Sequence, residues 1–135
     1  MVAREAADQL HLDKVLFVPA ANPPHKRGTG TGYEHRMRMV ELACAADPRF
    51  EASRLEENTE RSYSYDTITR LKASLAPGDR LFFLIGADAF AEIHTWHRSD
   101  EVIELVDFVV VTRPGHEYVT PPNARVYRLE TLALP

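Results

Sequence analysis

The stretch that most limits the fold is the apolar run Leu81, Phe82, Phe83, Leu84 and Ile85, closed by Gly86. It has no period-two alternation, so it suits a parallel strand covered on both faces better than a half-wetted antiparallel one. Asp88 opens the helical segment that follows. Gly86 and Asp88 therefore fall at the carboxyl edge of a strand, where open α/β sheets bind their ligands. Trp96 lies further along the same segment.

The flanking sequence repeats this pattern. Val2 to Leu12 carries Ala3, Ala7 and Leu10 at helical spacing, and Lys14 to Pro19 is a short apolar strand stopped by proline. Ala20 to Tyr33 is a polar loop with two prolines and three glycines. Glu34 to Ala46 places Met39, Val40 and Ala43 on one helical face together with Arg36, which should point inward, with Arg38 opposite. Phe50 to Glu56 is a weaker strand. Ser62 to Leu75 is a helix opened by hydroxyls and Asp66 and ended by Pro77 and Gly78. Ser99 to Val106 is another helix, Asp107 to Thr112 a buried strand stopped by Arg113-Pro114-Gly115, and Arg125 to Leu129 a last strand. The order β-α-β-α-β-α predicts a doubly wound parallel α/β sheet in a single domain over residues 1–135. The opening helix should cross over from a strand, which would precede it, so the sheet is expected to be truncated at the front.

Charge and cysteine content narrow the function. A net charge of -4 argues against a general nucleic-acid binder or a binder of acidic membranes, so an anionic ligand must meet a local positive cluster. The one cysteine, Cys44, falls in a helical pattern and excludes an internal disulfide; it reads as a small buried hydrophobe in a cytoplasmic protein. No apolar run approaches the roughly 20 residues of a membrane span. A homo-oligomer is left open.

Several residues could carry chemistry, each beside a plainer role. Gly28, Gly30 and Gly32 stand well past their strand without dinucleotide-fingerprint spacing, and read as a flexible loop. Pro23-Pro24-His25-Lys26-Arg27 has the donors of a phosphate clamp or is a solvated basic loop. Arg36, in the first turn of a helix, could hold a phosphate or form an internal ion pair. The hydroxyls from Ser62 to Thr67 offer donors, although helix capping explains most of them. Trp96, beside His94 and His97, could stack on a heterocycle or simply pack in the core. No spacing suggests a structural metal site or a hydrolase nucleophile.

Taken in order, FVPAANPPHK, HRMRMVELA, SYSYDTITRL, LFFLIGADAFAEIHTW and VVVTRPG resemble the bacterial nicotinate-nucleotide adenylyltransferase family over essentially the whole chain. The resemblance implies a Rossmann-like fold and transfer of AMP from ATP, with Mg²⁺, to nicotinate mononucleotide, giving deamido-NAD and pyrophosphate. It further implies that Gly86 and Asp88 hold the ATP ribose, Arg113 contributes on the ATP side, and His25, Lys26 and Arg36 meet phosphates. Trp96 would stack on the nicotinate ring, with the backbone around Ser64 and His97 holding the pyridine carboxylate.

The same resemblance leads one to expect a G-G-x-F-D-P-x-H-x-G-H loop before Val2 and an I-S-S-T-x-I-R segment near Pro135, neither of which the 135 residues contain. No residue of the chain is therefore assigned as catalytic, and the sheet is expected to be truncated at both ends. Each lost phosphate donor costs about 10² to 10³ in rate, so the chain is expected to be nearly inactive even when folded. Ser64 stands where the family often has threonine and His97 where it often has tyrosine. Two other readings stay open: an adenylyltransferase for nicotinamide mononucleotide or phosphopantetheine, and a non-catalytic nucleotide-binding module.

Overall fold

The computed structural model describes residues 2–19, 32–57 and 63–131. These form two compact units, one from Met1–Ala6 with Ser64–Pro135 and the other from Ala7–Tyr63. His25, Lys26, Ser62 and the glycines Gly28 and Gly30 lie outside the described residues.

Helix α1 (Val2–Leu10) starts in the first unit and ends in the second. Its buried stripe is Ala3, Ala6 and Ala7. It stops two residues before Leu12 because His11 turns left-handed (φ 53°) and the Leu12 amide closes back on the Ala7 carbonyl at 3.0 Å. That is the Schellman way of satisfying a helix end, here without glycine.

In the second unit, strand β1 (Val15–Phe17) pairs in parallel with β2 (Phe50–Ala52), with Phe17 opposite Ala52. Phe17 and Phe50 meet with ring centroids 5.1 Å apart. Strand β2 is shorter than its sequence suggests, ending well before Glu56. Helix α2 (Tyr33–Cys44) corrects a second expectation. Its buried residues are Met37 and Cys44, whereas Met39 is 57% exposed and Ala43 is also exposed. Apolar residues occupy several sides of this helix, so the sequence offers more than one plausible stripe, and the one through Met37, Val40 and Cys44 at i, i+3, i+7 is the buried one. Arg49 ties this unit together, donating to both carboxylate oxygens of buried Asp47 and to Asp8 at 2.8 Å.

The first unit holds a three-stranded parallel sheet in the order β3 (Phe82–Gly86), β4 (Asp107–Thr112), β5 (Arg125–Glu130). β4 is buried along its whole length, as its β-branched valines and continuous apolar run require. β3 was expected to be covered on both faces, but only Ile85 is buried and Leu84 is 38% exposed. In this sheet β3 is an outer strand, and the continuous run marks a parallel strand without marking the central one. Helix α3 (Ser64–Ser74) lies beside α5 (Ser99–Leu105), where Lys72 Nζ donates to the Leu105 carbonyl at 2.9 Å. The core gathers Ile68, Ile85, Phe90, Ile93, Val102, Phe108 and Val110. Among the described residues no helix is long and apolar enough to cross a membrane.

Asp107, at the start of β4, is buried and accepts hydrogen bonds from Arg80 and Arg125. Arg125 also donates to the Glu104 and Val106 carbonyls, each at 3.1 Å, which fastens β5 to the end of α5. Burial pushes the Asp107 carboxyl up, but the two guanidinium groups outweigh it and hold the group below its ordinary value of 3.8. A depressed folded pKa contributes stability that is complete above the unfolded value and is lost as the pH falls through the folded one. Acid titration of the folded chain should therefore show a loss of stability below pH 3.8 that Asp107→Asn flattens. An equally steep acid limb in that variant would show that other carboxylates carry it.

Candidate functional site

Gly86 ends β3 with extended backbone (φ -73°, ψ 153°) and leads into the short helix α4 (Ala87–Ala91). Neither its dihedrals nor its neighbours demand glycine, because a Cβ built there meets nothing within 4 Å. An exposed backbone with open space above it, at the carboxyl end of a parallel strand, is where a flat polar ligand can lie against the chain. Asp88 is exposed in the first turn of α4. Gly86 pairs with Val111 of β4, and Arg113 follows β4 as an exposed residue. The register thus brings Gly86, Asp88 and Arg113 to one edge of one sheet: a carboxylate able to accept from hydroxyls, and a guanidinium able to meet an anion.

A second group forms where α4 gives way to the single 3-10 turn Ile93–Thr95 and then Trp96. Ile93 is buried and anchors the turn, and the Trp96 amide donates back to its carbonyl at 3.0 Å. The indole is half-buried and packs edge-on against Phe83, with centroids 5.5 Å apart and planes at 64°. Trp96 is thus both a core-packing residue and an aromatic surface that solvent still reaches. Its carbonyl accepts from the Ser99 amide at 3.2 Å, closing a tight turn around exposed His97 and Arg98.

Half-buried Ser64 opens α3, and the ring of its neighbour Tyr65 meets the His97 imidazole edge-on, with centroids 6.4 Å apart. The start of α3 and the Trp96–His97 turn are therefore neighbours, which brings Ser64, Trp96 and His97 into one region. Arg98 completes the arrangement. Its guanidinium lies 4.2 Å from the Tyr65 ring centroid and donates to both carboxylate oxygens of Glu101.

Arg36 belongs to the second unit, on the first turn of α2, half-buried with its guanidinium 5.7 Å from the Tyr33 ring centroid. His25 and Lys26 lie outside the described residues. Tyr65 and Arg98 are the neighbours that sequence reasoning did not single out for the Trp96 turn. The adjacency of Arg98 to Trp96-His97 was the available signal, but the partnership with a ring on another helix was not visible. Among the described residues, no three His, Cys, Asp or Glu side chains are grouped so as to hold a metal ion.

Comparison with known proteins adds an independent line. The cytidylyltransferase-like family model matches residues 1–133. A protein of Solibacter usitatus (strain Ellin6076), named probable nicotinate-nucleotide adenylyltransferase, is 59% identical over 134 residues, which is 98% of this chain and 71% of the relative. A protein of the same name from Tropheryma whipplei (strain Twist) is 41% identical over 99% of this chain and 72% of its own length. The solved structure of Plasmodium falciparum nicotinic acid mononucleotide adenylyltransferase complexed with NaAD aligns at a TM-score of 0.75 with 18% identity, covering 98% of this chain and 69% of that one. The agreement in fold is therefore Rossmann-like α/β with parallel strands.

Proposed function

Because the chain belongs to the nicotinate-nucleotide adenylyltransferase family, we propose that it serves adenylyl transfer from ATP to nicotinate mononucleotide in a cytoplasmic route to NAD. A phosphate oxygen of the acceptor attacks the α-phosphorus of ATP, a new P–O bond forms, the α–β bond breaks, and pyrophosphate leaves. Such a transfer requires in-line alignment and neutralised phosphoryl charge and no covalent enzyme intermediate. Magnesium enters on the triphosphate as part of the nucleotide substrate and neutralises its oxygens.

The observation that carries this reading is the juxtaposition, within one unit, of an open sheet edge bearing Gly86, Asp88 and Arg113 with a half-exposed indole on the segment leading from that edge. In the proposal Asp88 accepts from the ATP ribose hydroxyls lying against Gly86, and Arg113 adds positive charge on the ATP side. Trp96 stacks on the pyridine ring, and the backbone near Ser64 and His97 meets its carboxylate. His25, Lys26 and Arg36 are assigned to phosphates from the sequence pattern. This reading treats residues 1–135 as one nucleotidyltransferase-like domain.

The test is an acceptor panel. With ATP and Mg²⁺, nicotinate mononucleotide should give deamido-NAD and pyrophosphate in equal amounts, faster than nicotinamide mononucleotide or phosphopantetheine gives its own adenylylated product. Preferential use of either other acceptor would overturn the assignment, and no product from any of the three would favour a nucleotide-binding module.

Gly86→Ala separates folding from binding. The dihedrals suit alanine and the added methyl meets nothing, so the melting temperature should not fall. If the ribose lies against this backbone, ATP affinity should drop by about tenfold, or ~1.4 kcal/mol. Unchanged ATP affinity would place the ribose elsewhere.

A further inference from the structure

Arg98 is one of three non-glycine residues with positive φ among the described residues, at φ 55° and ψ 45°. Arginine gains nothing locally from that conformation, since Cβ crowds the following carbonyl, so the surroundings must hold it there. Three contacts do so. The Arg98 carbonyl accepts from the amides of Glu101 and Val102, each at 3.0 Å, which seats the start of α5 on this residue. The guanidinium grips both oxygens of Glu101 one turn along the same helix. It lies over the Tyr65 ring, 4.2 Å from the centroid, and that same ring meets His97 edge-on.

Tyr65 is thus held between the two residues that follow Trp96, and the left-handed step at Arg98 is what lets the chain turn back on α3 after the indole. We propose that Arg98 is a positioning residue: by clamping Tyr65 and Glu101 from a left-handed backbone, it fixes the Trp96–His97 turn against the start of α3. Resting on the functional reading above, it sets the geometry of the nicotinate-binding side without touching the ligand. The arrangement favours arginine over lysine, because a planar guanidinium can stack on a ring and bind a carboxylate through two donors at once, which an ammonium cannot.

Arg98→Gly separates this role from simple stability. Glycine accepts the left-handed step without strain, offsetting the lost side-chain contacts, so the variant should melt close to the parent. Time-resolved anisotropy of the single tryptophan in the ligand-free chain should nevertheless show faster local motion of Trp96 than in the parent. Calorimetric titration should show nicotinate mononucleotide binding weakened by about tenfold, with ATP affinity unchanged. Arg98→Lys should recover only part of the loss. Parent-like anisotropy in Arg98→Gly, or equal losses for both nucleotides, would overturn the proposal. Should the parent itself fail to bind nicotinate mononucleotide, the functional reading falls, and the anisotropy difference alone decides the role of Arg98.

Discussion

Phe108→Ala should cost about 3–5 kcal/mol of folding stability, the range for truncating a fully buried aromatic side chain. Phe108 has no exposed surface and sits on β4, which is buried along its length. Its ring lies 5.2 Å from Phe90 and 6.1 Å from Phe83, centroid to centroid, so it connects the helix after β3 with β3 itself. Removing it leaves a cavity lined by groups from several elements, which cannot all close in together. A natural domain holds only about 5–15 kcal/mol in total, so the variant should be marginal. Urea unfolding followed through Trp96, which packs on Phe83, reads this directly. A loss below about 1 kcal/mol would mean that the core relaxes around the gap and that Phe108 is not its centre.

Trp96→Ala should weaken nicotinate mononucleotide binding by about 5- to 150-fold, equivalent to the ~1–3 kcal/mol that a ring stacked on an aromatic side chain contributes. The indole packs edge-on against Phe83 and its backbone amide donates to the Ile93 carbonyl, so the turn that carries the ring is formed before any ligand arrives. A pre-oriented aromatic costs little side-chain entropy on binding, which is why the full stacking term should appear in the affinity. ATP affinity should change little, since Gly86 ends β3, Asp88 is in the first turn of α4 and Arg113 follows β4, all outside the turn that carries Trp96. Trp96→Phe should retain part of the affinity because it keeps a ring. Calorimetry is the suitable readout because the variant removes the fluorophore. Lower stability with undiminished acceptor affinity would make Trp96 a packing residue alone.

Parts of this arrangement were legible in the sequence for specific physical reasons. DFVVVT spells a strand buried on both faces, and its boundaries Asp107 and Thr112 are those observed. Gly86, Asp88 and Arg113 were predicted at strand ends because glycine, proline and a first-turn carboxylate punctuate the chain there. The order of strands was not legible: LFFLI is as continuous as FVVV, yet β3 is an outer strand and β4 the middle one. The buried face of α2 was misassigned because Met37, Met39, Val40, Leu42 and Ala43 give no single stripe. Nor does local sequence announce a left-handed histidine at the end of α1 or a left-handed arginine after Trp96, the second of which lies over a tyrosine ring on another helix. The pairing of Asp107 with Arg80 and Arg125, 27 and 18 residues away, likewise belongs to the tertiary fold.

The claim on which the functional reading turns is that one sheet edge and the segment beyond it receive the adenylyl and nicotinate halves of a single dinucleotide. Titration of deamido-NAD into the chain tests this most directly, because that molecule carries both halves. The account predicts quenching of Trp96 fluorescence, tighter binding than nicotinate mononucleotide alone, displacement by ATP, and calorimetric weakening by both Trp96→Ala and Asp88→Asn. Unchanged emission at millimolar deamido-NAD, or binding indifferent to both substitutions, would contradict it.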